Sequence, residues 1–308
     1  MAGVGSPHSA SGVAGVVITH RGPTAMLRRC LESISRADGP RCTIVVDNGA
    51  HASVPRDDYG PGVGEVLRVE NRGFGAAFNA GVARVGELAA VAGRAPAYIA
   101  LLNDDVEVAI DWLAPLVTQL DGDHSLGAVQ PKLLLAGTSP PKINSLGVRF
   151  DGAGAGSDIG YGEVDGTAYS TSRDIAVFTG GAVLFRRAFL DDLGGFDERY
   201  FLYYEDVDLA LRGAERSWHF RCEPASTVVH DQGSSSGDLG DEVHYLRERN
   251  RIWTTIRFRG ATTVGRSLWL SARRVRHRPR LAHTRALAAG IAAAPRLLAE
   301  RRRAGAGR

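Results

Sequence analysis

Lysine is nearly missing from this 308-residue chain: Lys132 and Lys142 are the only two among 37 basic residues. The arginine excess runs through the whole sequence and reads as a codon-composition habit. Cysteine is scarce as well. Cys30, Cys42 and Cys222 form an odd number without a CxxC pair, which argues against a disulfide frame or a cysteine zinc site and fits a reducing compartment. Long apolar runs are also lacking. The longest, Ala286–Pro295, is half what a bilayer crossing needs, and residues 1–12 lack the positive n-region of a signal peptide. A cytoplasmic protein is the expectation. The 44% hydrophobic and 23% charged content is ordinary for a globular chain and excludes a disordered or collagen-like one.

The formal net charge of +3 conceals two opposite parts. Residues 257–308 hold 14 arginines and one acid, Glu300, so they carry +13 and leave −10 for the first 256 residues. An acidic body with a basic tail is suited to polyanions or to an anionic membrane surface, and charge alone leaves both open; the second would be peripheral contact at the inner face of the cell membrane. The body has no aromatic-basic reading surface, so nucleic acid is not expected as a partner.

Hydrophobic patterning divides the chain further. Residues 1–13 are small and polar, a loose lead-in. Gly15–Thr19, Thr43–Val46, Val66–Val69 and Tyr98–Leu102 read as buried strands. Helices are expected over Thr24–Ser35, Phe74–Val85 and Ile110–Leu120. This alternation predicts an α/β fold with a mostly parallel, doubly wound sheet. The pattern loosens over 130–179, an excursion read as a hairpin or a lid. Beyond it come an apolar run at Val177–Phe185, short helices at Ala188–Leu193 and Glu205–Gly213, and strands at Trp218–Cys222 and Thr227–His230. The expected organisation is a 14–256 domain, divided into a 14–125 half and a 126–256 half. An arginine-rich helical tail (257–308) follows.

Polar clusters sit at the carboxyl ends of the strands, where open α/β sheets place their ligands: His20-Arg21, Asp47-Asn48, Asn71-Arg72 and Asp104-Asp105. Each could equally be a turn, since Asp and Asn favour turns. Four in succession favour a site. Adjacent carboxylates at a strand end can divide their labour, one meeting a ribose hydroxyl and the other a hard cation such as Mg²⁺ or Mn²⁺. Glu205, Asp206 and Asp208 open a helix, where capping is the plain alternative to a general base. His230 is a structural hydrogen-bonder unless the fold carries it to Asp105. Gly73–Phe78 half-matches a dinucleotide fingerprint but follows the third strand, so it reads as a helix N-terminus able to face phosphate. A nicotinamide dehydrogenase is disfavoured, because residues 19–24 lack the glycine fingerprint.

Eight segments together resemble the inverting glycosyltransferases of family 2, in particular their bacterial rhamnosyltransferase-like branch. They are VVITH (16–20), VVDNG (45–49), ENRGFGAAFNAG (70–81), LLNDDVEV (101–108), TGGAVLFRR (179–187), GGFDERYFLYYEDVDLALR (194–212), VVHDQGSSSG (228–237) and RERNRIW (247–253). The resemblance spans about 15–255 and implies the GT-A fold, with 14–125 as the nucleotide-sugar-binding half and 126–256 as the acceptor and catalytic half. It implies that Thr19, Asp47 and Arg72 hold the nucleotide and that Asp104 serves its ribose. Asp105 and His230 are implied as ligands of Mg²⁺ or Mn²⁺, and Gly180 and Gly181 as lining of the donor–acceptor cleft. Asp206 is implied as the catalytic base with Glu205 beside it, and Arg249 and Asn250 lie in a stretch that closes over the donor. The family's Thr-Tyr-Asn is Thr19-His20-Arg21 here, and its DNxS is DNGA, so Ala50 supplies no hydroxyl. The implied activity is metal-dependent, inverting sugar transfer, from dTDP-rhamnose before a UDP-sugar, to a hydroxyl of a cell-envelope glycan or lipid-linked acceptor. The alternative is a non-catalytic nucleotide-sugar or carbohydrate binder of the same fold.

Overall fold

The computed structural model describes residues 12–19, 24–40, 42–49, 54–231 and 240–306. His20, Arg21 and Ala50, singled out above, lie outside the described residues, as do 232–239. The first part runs β1 (Val13–Thr19), α1 (Ala25–Arg36), β2 (Cys42–Asp47), β3 (Glu65–Arg68), α2 (Phe74–Ala92), β4 (Tyr98–Asn103), β5 (Val106–Val108) and α3 (Leu113–Gly122). Then come β6 (Leu126–Leu135), β7 (Ile143–Ser145), β8 (Val148–Phe150), β9 (Gly156–Asp158), β10 (Arg173–Ile175), β11 (Ala182–Arg186), α4 (Arg187–Leu193), α5 (Glu205–Glu215) and β12 (His219–His230). Three helices follow: α6 (Asp241–Phe258), α7 (Ala261–Arg274) and α8 (Arg280–Ala306).

The main sheet is ordered β10-β12-β6-β11-β4-β1-β2-β3. Parallel pairing joins β3, β2, β1 and β4, and again β6 with β12, while β11 runs antiparallel between β4 and β6. The two reversals at β11 cancel. The carboxyl ends of β1 to β4 and of β12 therefore meet at one edge, together with the amino end of β11. Strand alternation builds a core on each face. Val16, Ile18, Ile44, Val46, Ile99 and Leu101 point to one face, under α2, α4 and α5. Val17, Val45, Ala100 and Leu102 point to the other, under α1 and α3. Thr24 caps α1, its Oγ1 accepting from the Leu27 N–H at 3.1 Å, and Leu27, Cys30, Leu31 and Ile34 form the buried stripe.

Two expectations fail beyond residue 125. The 130–179 segment does not loosen at its start, because Leu126–Leu135 is a largely buried strand inside the sheet. Its apolar run is masked in the sequence by Gln130 and Lys132, which the fold satisfies internally. The Gln130 Oε1 accepts from the Thr179 N–H at 2.8 Å, and Lys132 Nζ pairs with Asp165 at 2.9 Å. The two late strands are one, β12, with a register shift between Glu223 and Thr227, where Pro224 removes a ladder donor. The hairpin reading holds for β8–β9. That hairpin is fastened down: the Gly156 N–H donates to the Tyr204 hydroxyl at 3.2 Å, and Arg251 donates to the Ala153 carbonyl at 3.0 Å.

The chain after 257 is not one helix. Arg257 closes α6 and reaches inward to Asp208 at 2.7 Å and Asp197 at 3.1 Å. Both α7 and α8 pack on α6. Their shared apolar cluster buries only Ile252, Ile256 and Leu297 fully, each such side chain worth about 1.5–3 kcal/mol. Polar ties supplement it. Glu248 and Arg251, both 2% exposed, pair at 2.7 Å, and Arg251 also donates to Ser267 and Ser271 of α7. Glu300 of α8 pairs with Arg199 at 2.7 Å. Among the described residues no helix is long and apolar enough to cross a membrane.

Candidate active site

At the shared strand edge, β4 delivers Asp104 and Asp105, which are 7% and 6% exposed. β12 delivers His230, whose Nε2 lies 3.2 Å from the Asp105 Oδ1. The backbone holds this meeting in place, since the Asp231 N–H donates to the Asp105 carbonyl at 2.9 Å. The other ring nitrogen, Nδ1, lies 2.9 Å from the Oδ1 of Asn144 on β7. A Nδ1–H donated to that oxygen is the tautomer that would leave the Nε2 lone pair to a cation beside Asp105. Imidazole nitrogen and carboxylate oxygen are donors that Mn²⁺ accepts, so these residues fit a divalent ion. Among the described residues no group of three or more His, Cys, Asp or Glu is placed to hold a metal. Asp105 and His230 are two donors of that kind side by side.

The opposite wall is the start of α5. Glu205 and Asp206 are neighbours in sequence but differ in placement. Glu205 is 6% exposed and its Oε2 is buried without a hydrogen-bond partner. Asp206 is half-buried, and its carboxylate accepts from two backbone donors, the Gly180 N–H at 3.0 Å and the Val207 N–H at 2.8 Å. Burial pushes both carboxyls above the usual range; the Asp206 charge raises Glu205 further. For Asp206 the two N–H donors oppose the rise and the Asp158 carboxylate adds to it. Glu205 is accordingly the protonated member and Asp206 the carboxylate that faces outward. A carboxyl raised in the folded state contributes stability that is complete below its unfolded value and is lost as pH rises through its folded one. Glu205→Gln is therefore expected to leave the melting temperature unchanged in acid and to raise it at neutral pH. Thermal unfolding across that range measures it.

Between the two walls lie Gly180 and Gly181, just ahead of β11. Gly180 touches Asp206 through its N–H. A Cβ on Gly181 would lie 3.3 Å from the His230 Cε1, so glycine there lets the imidazole stand against the backbone. Asp105, His230, Gly181, Gly180 and Asp206 thus form one continuous surface. Asp158, at the end of β9, raises Asp206 electrostatically; burial raises its own carboxyl and His230 opposes that rise.

The remaining expected residues are placed as follows. Thr19 (1% exposed) and Asp47 (0%) end β1 and β2 side by side. Asp47 accepts from the buried Tyr59 hydroxyl at 2.5 Å and from the Gly49 N–H at 3.0 Å. Arg72 is turned to Glu198 at 2.7 Å. The first N–H groups of α2 do not all await a phosphate: that of Phe74 donates to the Phe201 carbonyl at 2.7 Å. A Cβ on Gly73, at φ +99°, would lie 2.2 Å from that same oxygen, so only glycine lets α2 start there. Arg249 and Asn250 are likewise turned to the 199–204 loop. Arg249 donates to the Arg199 and Tyr200 carbonyls, and Asn250, wholly buried, donates to those of Tyr200, Leu202 and Tyr203 at 2.7–2.9 Å. Their hydrogen bonds support the base's loop from beneath.

Sequence reasoning missed Asn144, Asp158 and Tyr59. The first two fall in the excursion and the third in a stretch with no periodic pattern. The one signal available was an isolated Asp or Tyr among glycines, which any loop provides.

A sequence profile described as Glycosyl transferase family 2 matches residues 16–194. The chain is 29% identical, over 250 residues, to N-acetylglucosaminyl-diphospho-decaprenol L-rhamnosyltransferase of Mycobacterium tuberculosis, covering 72% of this chain and 77% of that protein. Among solved structures it is similar to GalNAc-T7 with UDP, GalNAc and Mn²⁺, at a TM-score of 0.62 and 14% identity. That match covers 89% of this chain and 53% of the other, so the chain spans about half the length of that protein. S. aureus TarS 1-349 is similar at a TM-score of 0.55 and 14% identity, over 94% of this chain and 82% of that one. These likenesses bear out the GT-A-type α/β architecture.

Proposed function

The chain belongs to glycosyl transferase family 2, whose profile it matches over 16–194, and on that premise we propose that it transfers a sugar, with inversion, from a nucleotide donor to a hydroxyl of a lipid-linked glycan. The observation that carries this reading is the Gly180-Gly181 dipeptide, which touches Asp206 on one side and His230 on the other. A base and a cation-type site are then one dipeptide apart. An inverting displacement at an anomeric carbon needs a base and a charge-neutralising group on opposite sides of the sugar, and this dipeptide has one neighbour of each kind.

Thr19 and Asp47 receive the nucleotide at the ends of β1 and β2, and Asp104 accepts from the ribose hydroxyls. Arg72, held by Glu198, would have to turn from it to give positive charge to the nucleotide. Asp105 and His230 would hold a divalent cation, which when bound neutralises charge on the leaving diphosphate. Asp206 accepts the proton of the acceptor hydroxyl, the hydroxyl oxygen bonds to the anomeric carbon, and the carbon–oxygen bond to the diphosphate breaks with its electron pair. The Gly180 and Val207 N–H groups fix the Asp206 carboxylate in the orientation that receives this proton. Its raised pKa brings the base nearer to the operating pH, where general-base catalysis is most effective. Glu205, kept protonated by burial, adds no second negative charge beside it.

The donor is assigned as dTDP-rhamnose and the acceptor as a polyprenyl-diphosphate-linked sugar, by analogy with the mycobacterial rhamnosyltransferase. The Mn²⁺ and UDP in the GalNAc-T7 structure support the ion and the nucleotide chemistry. Calorimetric titration with dTDP-rhamnose, UDP-sugars and GDP-sugars, with Mn²⁺ and with EDTA, tests the assignment. dTDP-rhamnose is expected to bind most tightly, and chelation to weaken it at least about tenfold, about 1.4 kcal/mol. Equal affinity with EDTA would remove the cation from the reading, and preference for another nucleotide would remove the donor.

A further inference from the structure

Helix α8 carries apolar residues on both of its faces. Ala282, Ala286 and Leu297 are buried toward α6. On the other face, Leu281, Ala288, Ile291, Ala292, Pro295 and Leu298 recur at spacings of three, four and seven, and all are exposed. Leu281 is 71%, Ile291 57% and Leu298 41% exposed, so together they make a stripe with nothing among the described residues folded over it. The helices and their connection are also rich in charge. Arg266, Arg276, Arg278, Arg280, Arg302 and Arg303 are exposed and have no carboxylate partner among the described residues. On α7, Trp269 is 61% exposed and Arg273 lies over its ring at 4.7 Å. An apolar stripe, an exposed indole and a set of unpaired arginines is the composition of a helix that lies in the plane of a lipid interface.

We infer that the outward face of α8 docks on an anionic lipid bilayer, with Ile291 and Leu298 inserted among the acyl chains and the arginines at the headgroups. A second copy of the chain is the poorer occupant. Self-pairing across this stripe would set one +13 segment against another. An anionic surface complements that charge and is repelled by the acidic body, which fixes the orientation of binding. The inference rests on the lipid-linked acceptor proposed above. It also gives the docked helix a link to the chemistry: Glu300, on the inner face of α8, pairs with Arg199, seven residues before Asp206. The membrane-facing helix and the loop that presents the base are thereby one packed unit.

The experiment is sedimentation of the full-length protein with vesicles of phosphatidylcholine alone and of phosphatidylcholine with phosphatidylglycerol, without donor or acceptor. The protein is expected to sediment with the anionic vesicles only. Leu281→Ser, Ile291→Ser and Leu298→Ser combined should weaken that binding at least about tenfold, with the helical circular dichroism retained, because none of the three side chains is buried. Arg276→Glu with Arg278→Glu and Arg280→Glu should weaken it comparably. Undiminished binding of the serine variant would overturn insertion of the stripe. A wild-type dimer that the serine variant breaks, with no vesicle binding, would assign the face to self-association instead. Because no sugar is present, failure here is separate from failure of the transferase reading, which the calorimetric titration decides.

Discussion

Asp206→Asn is expected to abolish measurable sugar transfer, a loss of about 10²–10⁴ in kcat, while nucleotide binding persists. The substitution keeps the shape of the side chain and removes its capacity to take a proton. One of its two backbone partners, the Gly180 or Val207 N–H, would face an amide NH₂ instead of an oxygen, a cost of about 1–3 kcal/mol in stability. Single-turnover rates with calorimetric nucleotide affinity separate the two effects. Glu205→Gln is the matched control. It should retain most of the activity, since Glu205 is buried, is kept protonated there, and is not the acid held by the Gly180 N–H. The wild-type rate should rise with pH along an acid limb lying above the ordinary carboxylate range, because burial raises the base and only its ionised form accepts a proton. Full activity in Asp206→Asn with none in Glu205→Gln would exchange the two roles. Parallel loss of nucleotide binding and transfer would make Asp206 structural.

The second large effect is expected from Asn250→Ala. The loop that presents Asp206 holds Phe201, Tyr203 and Tyr204 at φ of 65°, 67° and 69°, a left-handed region that costs a non-glycine residue roughly 1–3 kcal/mol. Such strain persists only where the surroundings over-determine it. Here the Asn250 amide donates to three carbonyls of the loop, Arg249 supplies a second hold, and the Phe74 N–H a third. Removing the amide leaves buried carbonyls short of a donor and should cost roughly 2–4 kcal/mol in denaturant unfolding. It should also lower kcat about 10–100-fold, as the base drifts from its position. Trypsin should then cut at Arg199, which the intact loop protects. A wild-type melting temperature and rate in Asn250→Ala would mean that the loop holds itself.

Much of this molecule was legible before it folded. Strand alternation in GVVIT, TIVVD and YIALLN predicted a two-faced sheet, because residues two apart must share a face. Asp105 and His230 were legible as a pair only through a family resemblance; 125 residues separate them, and nothing local ties one to the other. The pairing of Arg249 and Asn250 with a donor was read the same way, and the structure turns both toward the 199–204 loop instead. The buried strand Leu126–Leu135 escaped because Gln130 and Lys132 interrupt it, and their partners, Thr179 and Asp165, lie far along the chain.

The choice between Glu205 and Asp206 is the clearest division of labour between the two levels. The sequence alone determined that two acids open α5 after an aromatic run, that four strand ends carry polar residues, and that the last fifty residues are basic. Only the tertiary structure decided which acid is sealed and which is open, that β12 brings His230 to Asp105, and that α8 keeps an apolar face outward. The reason is physical. Periodicity and turn chemistry act over a few residues and are written locally, whereas burial, pKa and the meeting of distant side chains depend on which elements close over which, and that is settled only when the sheet assembles.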